Sequence, residues 1–199
     1  MQVKKEYMQR AIVDAATEEF AENGYAKGSL RRIAEAADTK MSNIYNYFRN
    51  KEELFVFIVG GFYAELQELF VRIVREGENS CVAVLGADEA AGRWYSILSP
   101  LVDRRTELLI TASEGTRYAG FRSELEQKLL TAVGLMCGWY PAQPDPEVYP
   151  VNLYISAYID AAIAVSRRYS DKNNAHTAVE NLLRTALAGF AAVTENYER

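Results

Sequence analysis

Apolar residues recur at helical spacing along most of the chain. Ile12, Ala15, Ala16 and Phe20 mark one such stripe, and Asn23-Gly24 then supplies a stop, which predicts a first helix over about 6–22. Ser29 is a favourable N-cap ahead of Leu30, Ile33, Ala34 and Ala37 at i, i+3, i+4 and i+7, so a short second helix spans about 29–37. Asp38 follows at a position that often requires a left-handed residue, and Asp tolerates that conformation better than most. A third short helix, about 40–47, carries Ile44 and Phe48 inward. Asn50 caps a fourth, with Glu53 at the third helical position completing a box-like arrangement. Leu54, Ile58, Phe62, Leu66, Leu69 and Ile73 make this fourth helix long and amphipathic, ending near Gly77.

The pattern stays helical beyond Gly77, with helices expected near 80–91, 93–99, 102–113 and 121–139. The strongest break is "PAQPDPEVYP" (141–150), whose prolines cannot sit inside a helix. Two more helices are expected over about 147–169 and 174–196. No alternating strand pattern, internal repeat or low-complexity tract appears, so the fold class is all-α. The 199 residues are enough for one or two domains with a sizeable core. We expect an N-terminal three-helix domain over 1–50 and a larger helical domain over 51–199.

Charge sharpens that division. Residues 1–51 hold nine Lys/Arg against seven Asp/Glu, whereas the remainder holds thirteen against twenty. A basic head on an acidic body is the footprint of a localised anionic partner such as phosphate. Two short helices joined by a tight turn form a helix-turn-helix, whose second helix enters the DNA major groove. With Ile44 and Phe48 as anchors, Met41, Ser42, Asn43, Asn46 and Tyr47 face outward. Asn and Ser can hydrogen-bond base edges, and Met can lie against a thymine methyl. Arg31 and Arg32 stand in the first turn of the second helix, where the helix dipole disfavours cations by about 0.3–1 kcal/mol each. An arriving phosphate would offset that cost.

These features carry a resemblance. The text "AIVDAATEEFAENGYAKGSLRRIAEAADTKMSNIYNYFRNKEELF", with its "F-A-E-N-G-Y" and "Y-x-Y-F-x-x-K-E-E-L" runs, makes residues 10–56 similar to the DNA-binding domain of the TetR family of one-component regulators. The resemblance covers about a quarter of the chain and implies phosphate contacts from Lys27, Ser29, Arg31, Tyr47 and Lys51. It likewise implies base-reading positions at Ser42, Asn43 and Asn46. The sequence departs from the family pattern at Asp38, in place of a turn glycine, and at Lys40, in place of a small cap residue. It departs again at Met41, in place of a frequent Lys. Thr39 is the alternative cap.

Other chemistry finds little support. Cys81 and Cys137 are isolated, so neither a disulfide framework nor a zinc site is suggested. His176 is the single histidine, expected in a plain surface role, and no phosphate-loop pattern occurs. No cofactor or metal is expected, and an enzyme is not. Neither a signal peptide nor a run approaching 18 apolar residues was read in the sequence, which points to a cytoplasmic protein. The middle aromatics read first as helix packing. Against that stands a ligand cavity, for which Trp94, Tyr95, Tyr118 and Trp139 are candidates, with Arg117 as an anion contact. In the last two helices Ala157, Ala161, Ala164, Leu183, Ala186 and Phe190 are expected to form a four-helix homodimer interface.

The expected function is a DNA-binding transcriptional regulator. Its leading form is a homodimeric repressor released from inverted-repeat, double-stranded operator DNA by a small-molecule effector. An effector-independent or activating regulator is the alternative, followed by a helical scaffold or enzyme with a vestigial helix-turn-helix.

Overall fold

The computed structural model describes residues 2–79, 87–136, 151–169 and 172–197. Nine α-helices and no strand are present among them. They are α1 (Gln2–Lys27), α2 (Leu30–Ala36), α3 (Met41–Ile44), α4 (Lys51–Asn79), α5 (Ala87–Leu98), α6 (Arg104–Thr111), α7 (Phe121–Met136), α8 (Val151–Arg168) and α9 (Lys172–Tyr197), with a 3-10 turn at Ser99–Leu101. The chain divides into two compact units. The first holds residues 1–66 and 105–122, and the second holds 67–104 and 123–199. Helix α4 contributes to both.

Local signals in the first unit act as the sequence suggests. Gly24 interrupts α1 at φ 72°, ψ 160°, a conformation that L side chains rarely adopt. Asp38 occupies the left-handed region at φ 48°. Ser29 caps α2 from extended backbone, accepting from Arg32 N at a long 3.5 Å. Asn50 Oδ1 accepts from Glu53 N at 2.8 Å, while the Glu53 carboxylate accepts from Arg49 N at 2.6 Å. The box therefore closes one residue earlier than the usual form.

Several expectations change. The α-helical part of the recognition segment is only Met41–Ile44. It then tightens into turns, with Asn46 N donating to Asn43 O and Tyr47 N to Ile44 O. Lys40 is its N-cap without a side-chain bond, and Thr39 Oγ1 instead accepts from Asn43 Nδ2 at 2.9 Å. The two helices expected over 80–91 and 93–99 are, in the described residues, the single α5. Gly92 does not divide it, because Ala90, Ala91, Trp94, Ile97 and Leu98 bury one continuous stripe. Residues 80–86, and the proline-rich segment with Trp139, lie outside the described residues.

Helix α4 also revises the reading of hydropathy. By length and composition it could cross a bilayer, with a mean hydropathy of 1.6 over its best window, of which 44% is buried in the protein. The run Leu54–Phe62 carries no charge, and that raises the average. Leu54, Phe55, Ile58, Val59, Phe62 and Leu66 are all buried at helical spacing, the pattern of a core helix. Around them the first unit packs Ile12, Ala16 and Phe20 of α1, Ile33 of α2, and Ile44 and Phe48. The Phe20, Tyr25 and Phe55 rings meet with centroids 5.1–5.9 Å apart, which favours tilted and edge-on contacts.

Candidate nucleic-acid interface and ligand cavity

On the first unit, the anchors Ile44 and Phe48 are buried, and the residues between and beside them face outward. Met41, Ser42 and Asn46 are exposed, while Asn43 and Tyr47 are half-buried. The polar members are already ordered. Asn46 Nδ2 donates to Asn43 Oδ1 at 3.1 Å, and Asn43 Nδ2 donates to Thr39 Oγ1 at 2.9 Å. This ladder fixes the amide of Asn43 while leaving the carbonyl oxygen of Asn46 outside these two bonds. Tyr45 (49% exposed) and Phe57, whose ring sits 5.2 Å from that of Phe48, are apolar groups on this surface that the sequence reading did not select. The doubled tyrosine of "YNYF" was the signal available for Tyr45.

The cations divide into exposed and engaged. Lys27 is exposed, and among the described residues Arg31 pairs with Glu35 one turn on, at 3.1 Å with both side chains mostly in solvent. Such a pair is weak and yields readily to a phosphate. Arg32 is different. Its Nε donates to both Glu19 carboxylate oxygens at 3.0 Å, its Nη2 joins the same carboxylate, and Nη2 also reaches Lys27 O at 3.1 Å. Glu19 is buried and further accepts from Ser29 N at 2.9 Å. The guanidinium beside it holds the Glu19 carboxyl below the usual carboxylate range. Arg32 thus ties α2 to α1 while half of its side chain stays exposed to solvent.

Lys51 is also engaged. Its Nζ donates to the carbonyls of Tyr25, Ala26 and Gly28 at 2.7, 3.2 and 3.1 Å and lies 4.6 Å from the Tyr25 ring centroid. An ammonium has three protons, and all three go to the end of α1 and its exit turn. Lys51 in this geometry joins α4 to α1, and a phosphate would compete with these carbonyls for its protons.

The second unit contains a cavity of about 500 Å³. Trp94 and Leu98 of α5 and Leu129, Val133 and Met136 of α7 form one side of its lining. Helix α8 adds Val151, Tyr154, Ile155, Ala157, Tyr158 and Ala161. Helix α9 adds Leu182, Leu183, Thr185, Ala186, Leu187 and Gly189. Of the expected ligand residues that are described, Trp94 lies here and Tyr95, Arg117 and Tyr118 do not; Trp139 is outside the described residues. Tyr95 points instead to His176, its hydroxyl meeting Nδ1 and the rings standing edge-on, so His176 is a packed, half-buried residue and not a plain surface one. Arg117 and Tyr118 belong to the first unit. There Tyr118 is buried against Tyr63, with ring centroids 5.0 Å apart, and its hydroxyl accepts from Arg117 Nη2 at 2.7 Å. The segment around them packs within the first unit, with Tyr25 N donating to Ala112 O at 2.8 Å.

The expected dimer residues also separate. Ala157 and Ala164 are exposed, Ala161 and Ala186 are half-buried, and Leu183 is buried within its own chain and faces the cavity. The side chain of Phe190 lies outside the described residues. Leu153 and Tyr154, at 64% and 60% exposure, extend the apolar face of α8.

A buried helix-turn-helix scaffold with an outward polar recognition segment defines a DNA-binding protein, and the comparisons agree. The model for bacterial regulatory proteins of the tetR family matches residues 12–57. The HTH-type transcriptional repressor DhaR of Mycobacterium sp. (strain GP1) is 30% identical over 190 residues, covering 81% of this chain and 96% of DhaR. The fatty acid metabolism regulator protein of Bacillus subtilis (strain 168) is 38% identical over 71 residues, 34% of this chain and 36% of the relative. Among solved structures, the fatty acid degradation regulator FadR from Bacillus halodurans aligns with TM-score 0.40 at 20% identity, over 88% of this chain and 93% of that one. This chain belongs to the TetR family of transcriptional regulators and is a DNA-binding regulator.

Proposed function

We propose that the protein is a cytoplasmic, homodimeric repressor that leaves an inverted-repeat operator when a small-molecule effector occupies the cavity of the second unit. The observation that carries this reading is the pairing of an exposed recognition segment in one unit with an apolar cavity in the other. A repressor of near-equal extent among its relatives supports the sign of regulation. Coupling requires that the effector bind two arrangements of the protein with different affinity. Helix α4, which contributes to both units, is the natural element to report that difference. The exposed apolar row Leu153, Tyr154, Ala157 and Ala164 on α8 supports twofold association through the last two helices.

Within this reading Arg31 and Lys27 contact phosphates, while Ser42, Asn43 and Asn46 read bases, with Met41, Tyr47 and Tyr45 beside them. Titrating the full chain against its own upstream DNA at several salt concentrations tests the assignment. Arg31→Ala should weaken binding to all sequences and flatten the salt slope by about one unit, whereas Asn43→Ala should relax one base position at about 1–3 kcal/mol. Absence of duplex binding at low salt would remove the regulator reading. Leu153→Glu with Ala164→Glu should yield folded monomers that lose the operator, read by mass in solution.

A further inference from the structure

The recognition segment holds a ladder of amides whose direction narrows what it can read. Thr39 stands in the turn between α2 and α3, where its backbone N–H donates to Ala34 O at 2.9 Å. Its Oγ1 accepts from Asn43 Nδ2 at 2.9 Å, and Asn43 Oδ1 accepts from Asn46 Nδ2 at 3.1 Å. Asn43 is half-buried with both ends of its amide engaged, whereas Asn46 is exposed at the open end of the ladder. A side-chain amide offers two N–H donors and one carbonyl oxygen. Asn46 gives one proton to Asn43, so its other N–H and its Oδ1 remain without a bond among the described residues. In the major groove adenine presents one acceptor, N7, beside one donor, the N6 amino group. Guanine presents two acceptors, cytosine a donor, and thymine an acceptor beside its methyl. Adenine alone uses both of the groups that Asn46 keeps.

We infer that Asn46 reads adenine through a paired contact, its Oδ1 accepting from the N6 amino group and its Nδ2 donating to N7, with Thr39 and Asn43 as positioning residues that hold this amide edge toward the base. The inference rests on the reading that this segment lies in the major groove, and deepens it by naming the base. Fixing the amide before DNA arrives lowers the ordering cost of binding. Thr39 acts on specificity through Asn43.

Selecting random-sequence duplexes with the full chain gives the preferred site, and repeating the selection with Asn46→Ala marks the position that Asn46 reads. That position should be adenine in the wild-type site and unselected in the variant, a loss of discrimination of about five- to 150-fold. Replacing this adenine with 7-deazaadenine, which lacks the N7 acceptor, should weaken wild-type binding by about two- to twelve-fold and leave Asn46→Ala unaffected. Thr39→Val keeps the side-chain shape but removes the acceptor. It should weaken preference at the same position by about two- to twelve-fold with the salt slope unchanged, and Thr39→Ser should restore it. If Thr39→Val fails to fold, the 7-deazaadenine comparison decides. Guanine at that position overturns the inference, because it needs two outward donors and hence an amide turned the other way. Unweakened binding to the 7-deazaadenine duplex overturns it too, as does full discrimination in folded Thr39→Val. An enriched site that Asn46→Ala leaves unchanged removes the inference alone. No enriched sequence at all removes base reading by this segment, and the inference with it.

Discussion

The two units meet their polar groups in opposite ways. In the first, buried charge is matched at short range: Glu19 takes the Arg32 guanidinium and the Ser29 amide, and Lys51 donates to three carbonyls. These bonds fix where α2 and α4 stand against α1, and so steady the frame that carries the outward residues. In the second, the cavity has an almost wholly apolar lining, and the buried Trp94 indole N–H has no partner among the described residues. A rigid polar frame suits a partner that is always the same polymer. An under-filled apolar space suits a partner that comes and goes, because its binding energy is then supplied by the ligand.

Breaking the frame at its centre should have the largest effect. Phe55 is fully buried and touches the rings of Phe20, Tyr25 and Tyr118. Phe55→Ala should cost about 3–5 kcal/mol, seen as a large fall in thermal midpoint together with lost DNA binding. A fall under about 1 kcal/mol would show that this cluster is not the core of the unit.

The second unit has its own tight point. A Cβ on Gly77 of α4 would stand 2.5 Å from the carbonyl oxygen of Ala132 on α7. Backbone cannot give way as a flexible side chain can, so Gly77→Ala should destabilise by about 1–3 kcal/mol despite the better helix propensity of alanine. Denaturant unfolding gives the sign directly. A stabilised variant would mean that α4 and α7 do not approach this closely.

Glu19→Gln separates stability from charge. The amide oxygen can still accept from Ser29 N, but the ion pair is gone, at a cost of about 1–2 kcal/mol. Freed from Glu19, Arg32 becomes available to phosphate, so the salt slope for DNA should steepen by about one unit even as stability falls. A purely structural role would leave that slope unchanged. The pH dependence has a definite sign. The folded Glu19 carboxyl lies below its ordinary value, so its contribution is complete above about pH 4.3 and is lost as pH falls through the depressed value. The stability gap between wild type and Glu19→Gln should therefore close on acidification and be widest at neutral pH.

How much of this was legible in the sequence follows from the distance over which each signal acts. Gly24, Ser29, Asp38 and the Asn50–Glu53 pair act within four residues, and all are readable from residue type. The partner of Arg32 is Glu19, thirteen positions back, on no shared helix face and in no motif, so the arginine looked free for phosphate. Lys51 likewise sits at a helix start that invites an anion, while its partners lie 23 to 26 residues earlier. In the second unit four helices contribute to one cavity, and periodicity cannot say which apolar residues of a stripe fill space and which bound it. Trp94, one of several middle aromatics the sequence offered, does line the cavity. Tyr95, its neighbour, turns to His176 on another helix, a pairing no local pattern encodes.

The smallest effect is expected at Asp38. Its φ of 48° is one that a β-carbon opposes, and glycine would relieve roughly 1–2 kcal/mol of that strain for an ordinary residue, less for Asp. Against this, glycine adds freedom to the unfolded chain at about 0.5–1 kcal/mol. The two terms nearly cancel, leaving Asp38→Gly stabilising by at most about 0.5–1 kcal/mol. DNA affinity should respond more clearly, because an exposed carboxylate beside the recognition segment repels phosphate. Asp38→Asn keeps the side-chain shape and the tolerance for this backbone, so it isolates the charge. Both variants should bind DNA more tightly at low salt, by similar factors, and only Asp38→Gly should alter stability. Tighter binding by Asp38→Gly alone would assign the effect to the backbone of the turn instead of its charge.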